Sequence, residues 1–248
     1  MIKNFSYKKI GKVLGLAVIL GLIAIAYIHT KYPNVVVDQL TFADHATPAK
    51  STQNKAAPTT FLLPVPFTSQ APTANWDALH NEACEEADAI MAAQYFQGNR
   101  EVSLKADLVE EQIRVLTAWQ DEHFGYHLDT TSAQTARMIE DVYGLKTRLI
   151  PNFTAEQLQS ELAQKHIVLI SAAGRELHNP NYKSPGPLHH MLLVRGYTAT
   201  NFVTNDSGTR NGLNYAYSFS TIYSAAADWN QATQNIDPTQ KIAIIVFQ

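Results

Sequence analysis

HNEACEEADAIM, residues 80–91, holds the only cysteine of the chain, Cys84, at what reads as the first turn of a helix. A thiol with no second cysteine is either a small buried apolar group or a reactive one. Asn81 reads as the N-cap, which places Cys84 among the unpaired backbone N–H groups at the positive end of the helix dipole. That position favours a thiolate. Glu82, Glu85 and Glu86 oppose a second anion there, but they favour a cationic partner such as an imidazolium. Ala83, Ala87, Ile90, Met91 and Gln94 recur near one face at helical spacing.

Downstream, residues 104–120 repeat that spacing through Leu104, Leu108, Ile113, Leu116 and Trp119. SAQTARMIEDVYG (132–144) closes on Gly144 as a helix C-cap should, and TAEQLQSELAQ opens on Thr154 as an N-cap. HIVLIS (166–171), HMLLVRGY (190–197), NFVTND (201–206) and KIAIIVF (241–247) then read as strands covered on both faces. Helices first and strands later predict an α+β domain of two lobes with a mostly antiparallel sheet. No internal repeat interrupts this order.

The strands supply candidates for the thiol's partner. His190 opens one strand and Asp206 closes the next, with Thr198 midway between them. A hairpin turning on residues 197–199 sets the two directly opposite, with Cβ atoms about 4.5–5.5 Å apart. A cysteine at a helix start with a His–Asp pair across a hairpin is what thiol acyl transfer requires. Paired with His190, the thiolate is expected to persist well below its usual pKa of about 8.5. Gln70, fourteen residues before Cys84, offers a side-chain amide to a developing oxyanion beside the Cys84 N–H.

The N-terminal region is separate. Residues 1–12 carry four lysines and no acid, and Val13–Ile28 is an uncharged apolar run of 16 residues. With lysines on its N-terminal side it reads as a signal anchor, N-terminus in the cytoplasm and the remainder outside. A cleaved signal peptide is the competing reading, on Ala24 and Ala26. Residues 29–60 read as a tether, and 61–248 as the folded domain. Without residues 1–30 the chain has 15 Lys and Arg against 22 Asp and Glu, net −7. Nothing in that balance points to nucleic acid.

LPVPFTSQAPTANW, EACEEA, GPLHHMLLVRGY and FVTNDSGTRNG, in that order, resemble the papain-like cysteine peptidases of family 39, especially their stand-alone C39-like domains. The resemblance runs from about Leu62 to Phe247. It implies a papain-like fold in which a helical lobe carries the cysteine helix and packs on a sheet carrying His and Asp. It further implies Cys84 as nucleophile, His190 as general base and acid, Asp206 as its orienting group and Gln70 as oxyanion donor, with no cofactor. His189 is the alternative base. The family's double-glycine peptidases are fused to exporters and work on the cytoplasmic side. This chain shows no transporter segment, so leader-peptide removal is not carried over.

Trp76, His178, Asn179 and His189 are the candidates for substrate contact. The Pro/Gly-rich stretch 174–188 is placed to line or cover the cleft. Zinc on Cys84, His178, His189 and His190 is disfavoured, because the paired-ligand spacing is missing and adjacent strand residues face opposite ways. Arg195 and Arg210 are expected to pair with carboxylates. The expected activity is a membrane-anchored, extracytoplasmic cysteine peptidase acting on a peptide or protein. An NlpC-type peptidoglycan amide hydrolase and a silent peptide-binding domain are the alternatives.

Overall fold

The structure, a computed structural model, describes residues 59–248. The expected basic terminus and anchor, and the tether as far as residue 58, lie outside them. No helix of the described residues is long and apolar enough to cross a membrane.

The elements run β1 (Phe61–Leu62), α1 (Ala78–Asn81), α2 (Cys84–Phe96), α3 (Ala106–Phe124), α4 (Ser132–Tyr143), β2 (Lys146–Pro151) and α5 (Ala155–Ala163). Then come β3 (Ile167–Ala173), a 3₁₀ turn (Gly174–Leu177), β4 (His189–Tyr197), β5 (Asn201–Asn205) and β6 (Leu213–Ser218). α6 (Phe219–Ala225), β7 (Asp228–Asn230), β8 (Asn235–Asp237) and β9 (Ile242–Phe247) complete the fold. The class is α+β. The main sheet has the order β2–β9–β3–β4–β5–β6, with β1 also on β4, and all its pairings are antiparallel.

Local chemistry explains several helix ends. Thr131 and Gln134 form a capping box at α4, and Thr154 and Gln157 form another at α5. Gly144 and Gly125 end α4 and α3 in the left-handed conformation. On α3 the inward stripe is Val109, Ile113 and Leu116; Leu108, expected inside, is 38% exposed. One residue along a helix turns the side chain by about 100°, enough to move it off the buried stripe.

Two expectations about α2 are corrected. Asn81 is the last residue of α1 and its amide donates to the Trp76 carbonyl; the position before Cys84 is Ala83, with no side-chain cap. Nor is α2 one-sided. Every residue from Cys84 to Tyr95 is buried, Glu85, Glu86 and Asp88 included. A helix enclosed on all sides has no polar face to show. Its alanines let neighbouring elements approach closely.

β3 and β4 are buried along their whole length, as are the four middle residues of β9. Each Leu, Ile or Val buried there stabilises by about 1.5–3 kcal/mol. The segment after β1 runs beside β4 and β5 as a strap. The Leu63 N–H donates to the Arg195 carbonyl, and the Arg195 guanidinium donates to the Leu63 carbonyl at 2.6 and 2.8 Å. Asn205 holds the carbonyls of Val65 and Pro66, and the Gln70 N–H meets the Ser207 carbonyl. Gly196 is needed here, since a Cβ would sit 2.3 Å from the Phe61 carbonyl oxygen. Arg195, expected to face a carboxylate, instead donates to the Leu63 carbonyl and the amides of Asn205 and Asn214.

Candidate active site

The strap, the start of α2 and the start of β4 meet at a cleft of about 1340 Å³, lined by Gln70, Trp76, Cys84, His189 and His190 among others. Residues 181–188 of the Pro/Gly-rich stretch form one wall.

His190 and Asp206 meet, though not as directly opposed residues. The pairing starts at Tyr197↔Phe202, and a bulge at Arg195 shifts it to Val194↔Thr204 and Leu193↔Asn205. Continued along β4, that register sets His190 against Gly208. Asp206 reaches it diagonally, its Oδ1 2.9 Å from His190 Nε2. Gly208 is open where a Cβ would press on the ring, 2.9 Å from His190 Cε1.

Asp206 is fully buried and well supplied with donors. Its Oδ2 accepts from Tyr217 at 2.6 Å, Tyr182 at 2.7 Å and Asn179 at 2.9 Å, and its Oδ1 also accepts from the Gly208 N–H. Burial pushes its pKa up, yet the charge and hydrogen bond of His190 and the two phenols outweigh burial and hold it below the usual value. Burial and the Asp206 charge push both phenols up, so they stay neutral donors. His190 keeps Nε2 on Asp206, which leaves Nδ1 for the cleft.

Cys84 departs from its expected state. It is 3% exposed, and its thiol donates to Glu85 Oε2 at 2.9 Å. Burial first, then the charges of Glu85 and Asp129, push its pKa well above the usual value. The thiolate expected at low pH is not favoured in this resting arrangement.

Gln70 is buried under the cleft, but its Nε2 donates to the carbonyls of His80 and Asn81 at 2.8 and 3.1 Å. Both amide hydrogens are engaged, so it fixes the approach to Cys84 and serves an oxyanion only by releasing one. Trp76 is 44% exposed on the rim. His178, in a left-handed conformation after the 3₁₀ turn, is not among the lining residues. Asn179 is buried, its amide committed to Asp206 and Tyr217 rather than to the cleft.

His189 lines the cleft within a separate network. Its Nδ1 is 2.8 Å from Asp129 Oδ1 and 3.6 Å from Glu85 Oε1, and its Nε2 is 2.8 Å from Ser171 Oγ. Burial opposes its protonation, but the Asp129 hydrogen bond and the Glu85 charge prevail and raise its pKa. A ring nitrogen of His189, the Cys84 sulfur and a Glu85 oxygen lie within 4.8 Å of one another. The zinc set weighed from sequence is thus not the one assembled; Glu85 stands where His178 and His190 were considered.

Sequence reasoning missed Asp129 and Ser171 as partners of His189, and Tyr182 and Tyr217 as partners of Asp206. Tyr182 lay inside a stretch already singled out, so its neighbourhood was signalled. Asp129 and Tyr217 come from a polar loop and an edge strand, with nothing local to mark them.

No family of known proteins matches the chain, and no curated protein does. Chains of solved structures do match. One is a protein from Bacillus anthracis inferred to be a C39-like peptidase, 14% identical, covering 76% of this chain and 98% of its own, with a TM-score of 0.48.

Proposed function

We propose that this domain hydrolyses peptide bonds as a papain-like cysteine peptidase, with Cys84 as nucleophile and the His190–Asp206 pair as its acid–base system. The observation that carries the reading is His190. Its ring is oriented through Nε2 by a buried carboxylate holding four other donors, and it borders the cleft that Cys84 also lines.

The resting thiol is neutral and turned to Glu85, so activation accompanies the attack. Sγ turns from Glu85 towards His190 Nδ1, which takes the thiol proton as sulfur bonds to the carbonyl carbon. The developing oxyanion meets the Cys84 N–H, which has no partner within the helix. The imidazolium, stabilised by Asp206, gives its proton to the leaving amine. His190 then draws a proton from water to hydrolyse the thioester. The substrate is a peptide or protein, and the domain is held outside the cytoplasm by the apolar segment 13–28.

A second reading keeps the thiol chemistry and exchanges the base. His189, oriented by Asp129, is the histidine gathered with Cys84 and Glu85. Turnover of a peptide library, with purified cell wall in parallel, tests both readings in the full chain. Cys84→Ala and His190→Ala are expected to lose roughly a thousandfold or more, and His189→Ala less than about tenfold. A dead His189→Ala beside an active His190→Ala transfers the role to His189. Turnover confined to cell wall favours a peptidoglycan amide hydrolase. Peptide binding without turnover, persisting in Cys84→Ser, leaves a binding domain.

A further inference from the structure

Beside the His190–Asp206 pair lies a second constellation that the proposed chemistry leaves unused: Cys84, Glu85, His189 and Asp129. Three of its donor atoms, a sulfur, a carboxylate oxygen and a ring nitrogen, lie within 4.8 Å of one another. A tetrahedral zinc ion at about 2.0–2.3 Å from its ligands sets neighbouring donors about 3.3–3.8 Å apart. Small side-chain rotations cover that difference.

The hydrogen bonds fix which nitrogen points inward. Ser171 Oγ donates its proton to the Ala227 carbonyl at 2.7 Å, so it accepts from His189 Nε2 at 2.8 Å. Nε2 therefore carries a hydrogen. Nδ1 is the atom aimed at Asp129, 2.8 Å away, and at Glu85, 3.6 Å away. Facing two carboxylates, that nitrogen carries either a proton or a metal ion between itself and them, and a metal ion takes the proton's place on binding. An imidazole whose outer N–H is held by a hydroxyl, with its inner nitrogen beside carboxylates and a thiol, has the outer-shell arrangement of a metal-bound histidine. Glu85 is itself held, its Oε1 accepting from the Thr130 N–H and hydroxyl, which leaves Oε2 on the thiol. Cys84, Asp129 and His189 all border the cleft, which gives an ion a way in.

We infer that Cys84, His189 and Glu85, with Asp129 beside them, bind a thiophilic divalent cation of the zinc class, and that the ion blocks the nucleophile reversibly. On binding, sulfur and Nδ1 each bond to the metal, and the thiol proton and any proton on Nδ1 leave to solvent. The donor set selects the ion: thiolate and imidazole suit zinc and its neighbours, whereas magnesium and calcium prefer oxygen alone. While the metal holds Sγ, the sulfur cannot turn to His190. The block thus rests on the peptidase reading, but the site does not.

Untagged full-length protein titrated with cobalt(II) chloride tests the site without turnover. One ion per chain is expected, with a sulfur-to-cobalt charge-transfer band in the near ultraviolet that zinc chloride abolishes by displacement and magnesium chloride does not. Cys84→Ser removes the band, and His189→Gln weakens binding at least tenfold. His190→Gln leaves affinity within about twofold of wild type. Circular dichroism checks that each variant is folded, and His189→Gln decides alone if Cys84→Ser is not. Cobalt binding without the band, or a band that survives His189→Gln at wild-type affinity, overturns the inference. Because no turnover is measured, that result is distinct from failure of the peptidase reading.

Discussion

At Cys84, burial and two carboxylates prevail over the start of a helix. The dipole and free N–H groups favour a thiolate, but burial, Glu85 and Asp129 hold the proton on sulfur. A raised folded pKa contributes stability that is present below the unfolded value of about 8.5 and is lost as pH rises above it. Iodoacetamide is therefore expected to label the urea-unfolded chain faster than the native one at every pH up to about 9. Since Cys84 is the only cysteine, mass spectrometry reads it without interference. Native labelling at pH 6 as fast as unfolded labelling contradicts this. Asp206 is the opposite case. Its folded pKa is lowered, so its contribution is present above the unfolded value of about 3.9 and is lost as pH falls through the folded one. Asp206→Ala strands His190, Tyr182, Tyr217 and Asn179 at once, and should cost about 3 kcal/mol or more in urea denaturation. A loss under about 1 kcal/mol would show that water replaces the carboxylate.

At the scale of elements, what could be read from sequence followed the strength of local chemistry. Gly144 and Thr154 announced their caps correctly because capping is decided within a few residues. Asn81 had the right side chain but sits in a separate turn capped by Asp77, which no local pattern distinguishes. This contrast is measurable. Thr131→Ala, which breaks a capping box, should cost about 1 kcal/mol, and Asn81→Ala only a few tenths. Equal losses in thermal denaturation would restore Asn81 as a cap. The strands β3, β4 and β9 were legible from unbroken apolar runs. β2 and β6, at the sheet's two ends, are half exposed and lack that signature. The hairpin showed that His190 and Asp206 could meet, but its turn spans residues 198–201 rather than 197–199, and the bulge at Arg195 recovers only one residue of that offset, which leaves the contact diagonal. The bulged residue, Arg195, is bonded to the strap at Leu63, 132 residues away in sequence, a contact with no local signal.

For the whole molecule, the α+β class followed from element order, whereas the two histidine networks did not, because each draws partners from distant segments. Asp129 comes from the loop before α4, and Tyr217 from β6. The proposed outward orientation is tested by adding protease to intact spheroplasts. Cleavage between residues 40 and 60 is expected, and full protection without permeabilisation overturns the orientation. The strap adds a consequence for such a leash. The described chain enters the domain at Phe61, paired with Tyr197, while His190 lies at the other end of β4, about 23 Å away. A pull on residue 59 is thus taken up by the backbone bonds to β4, far from the chemistry. Under the proposed anchoring, the attachment lies at the end of β4 opposite His190, so holding the domain and admitting a substrate to the cleft do not compete for the same surface.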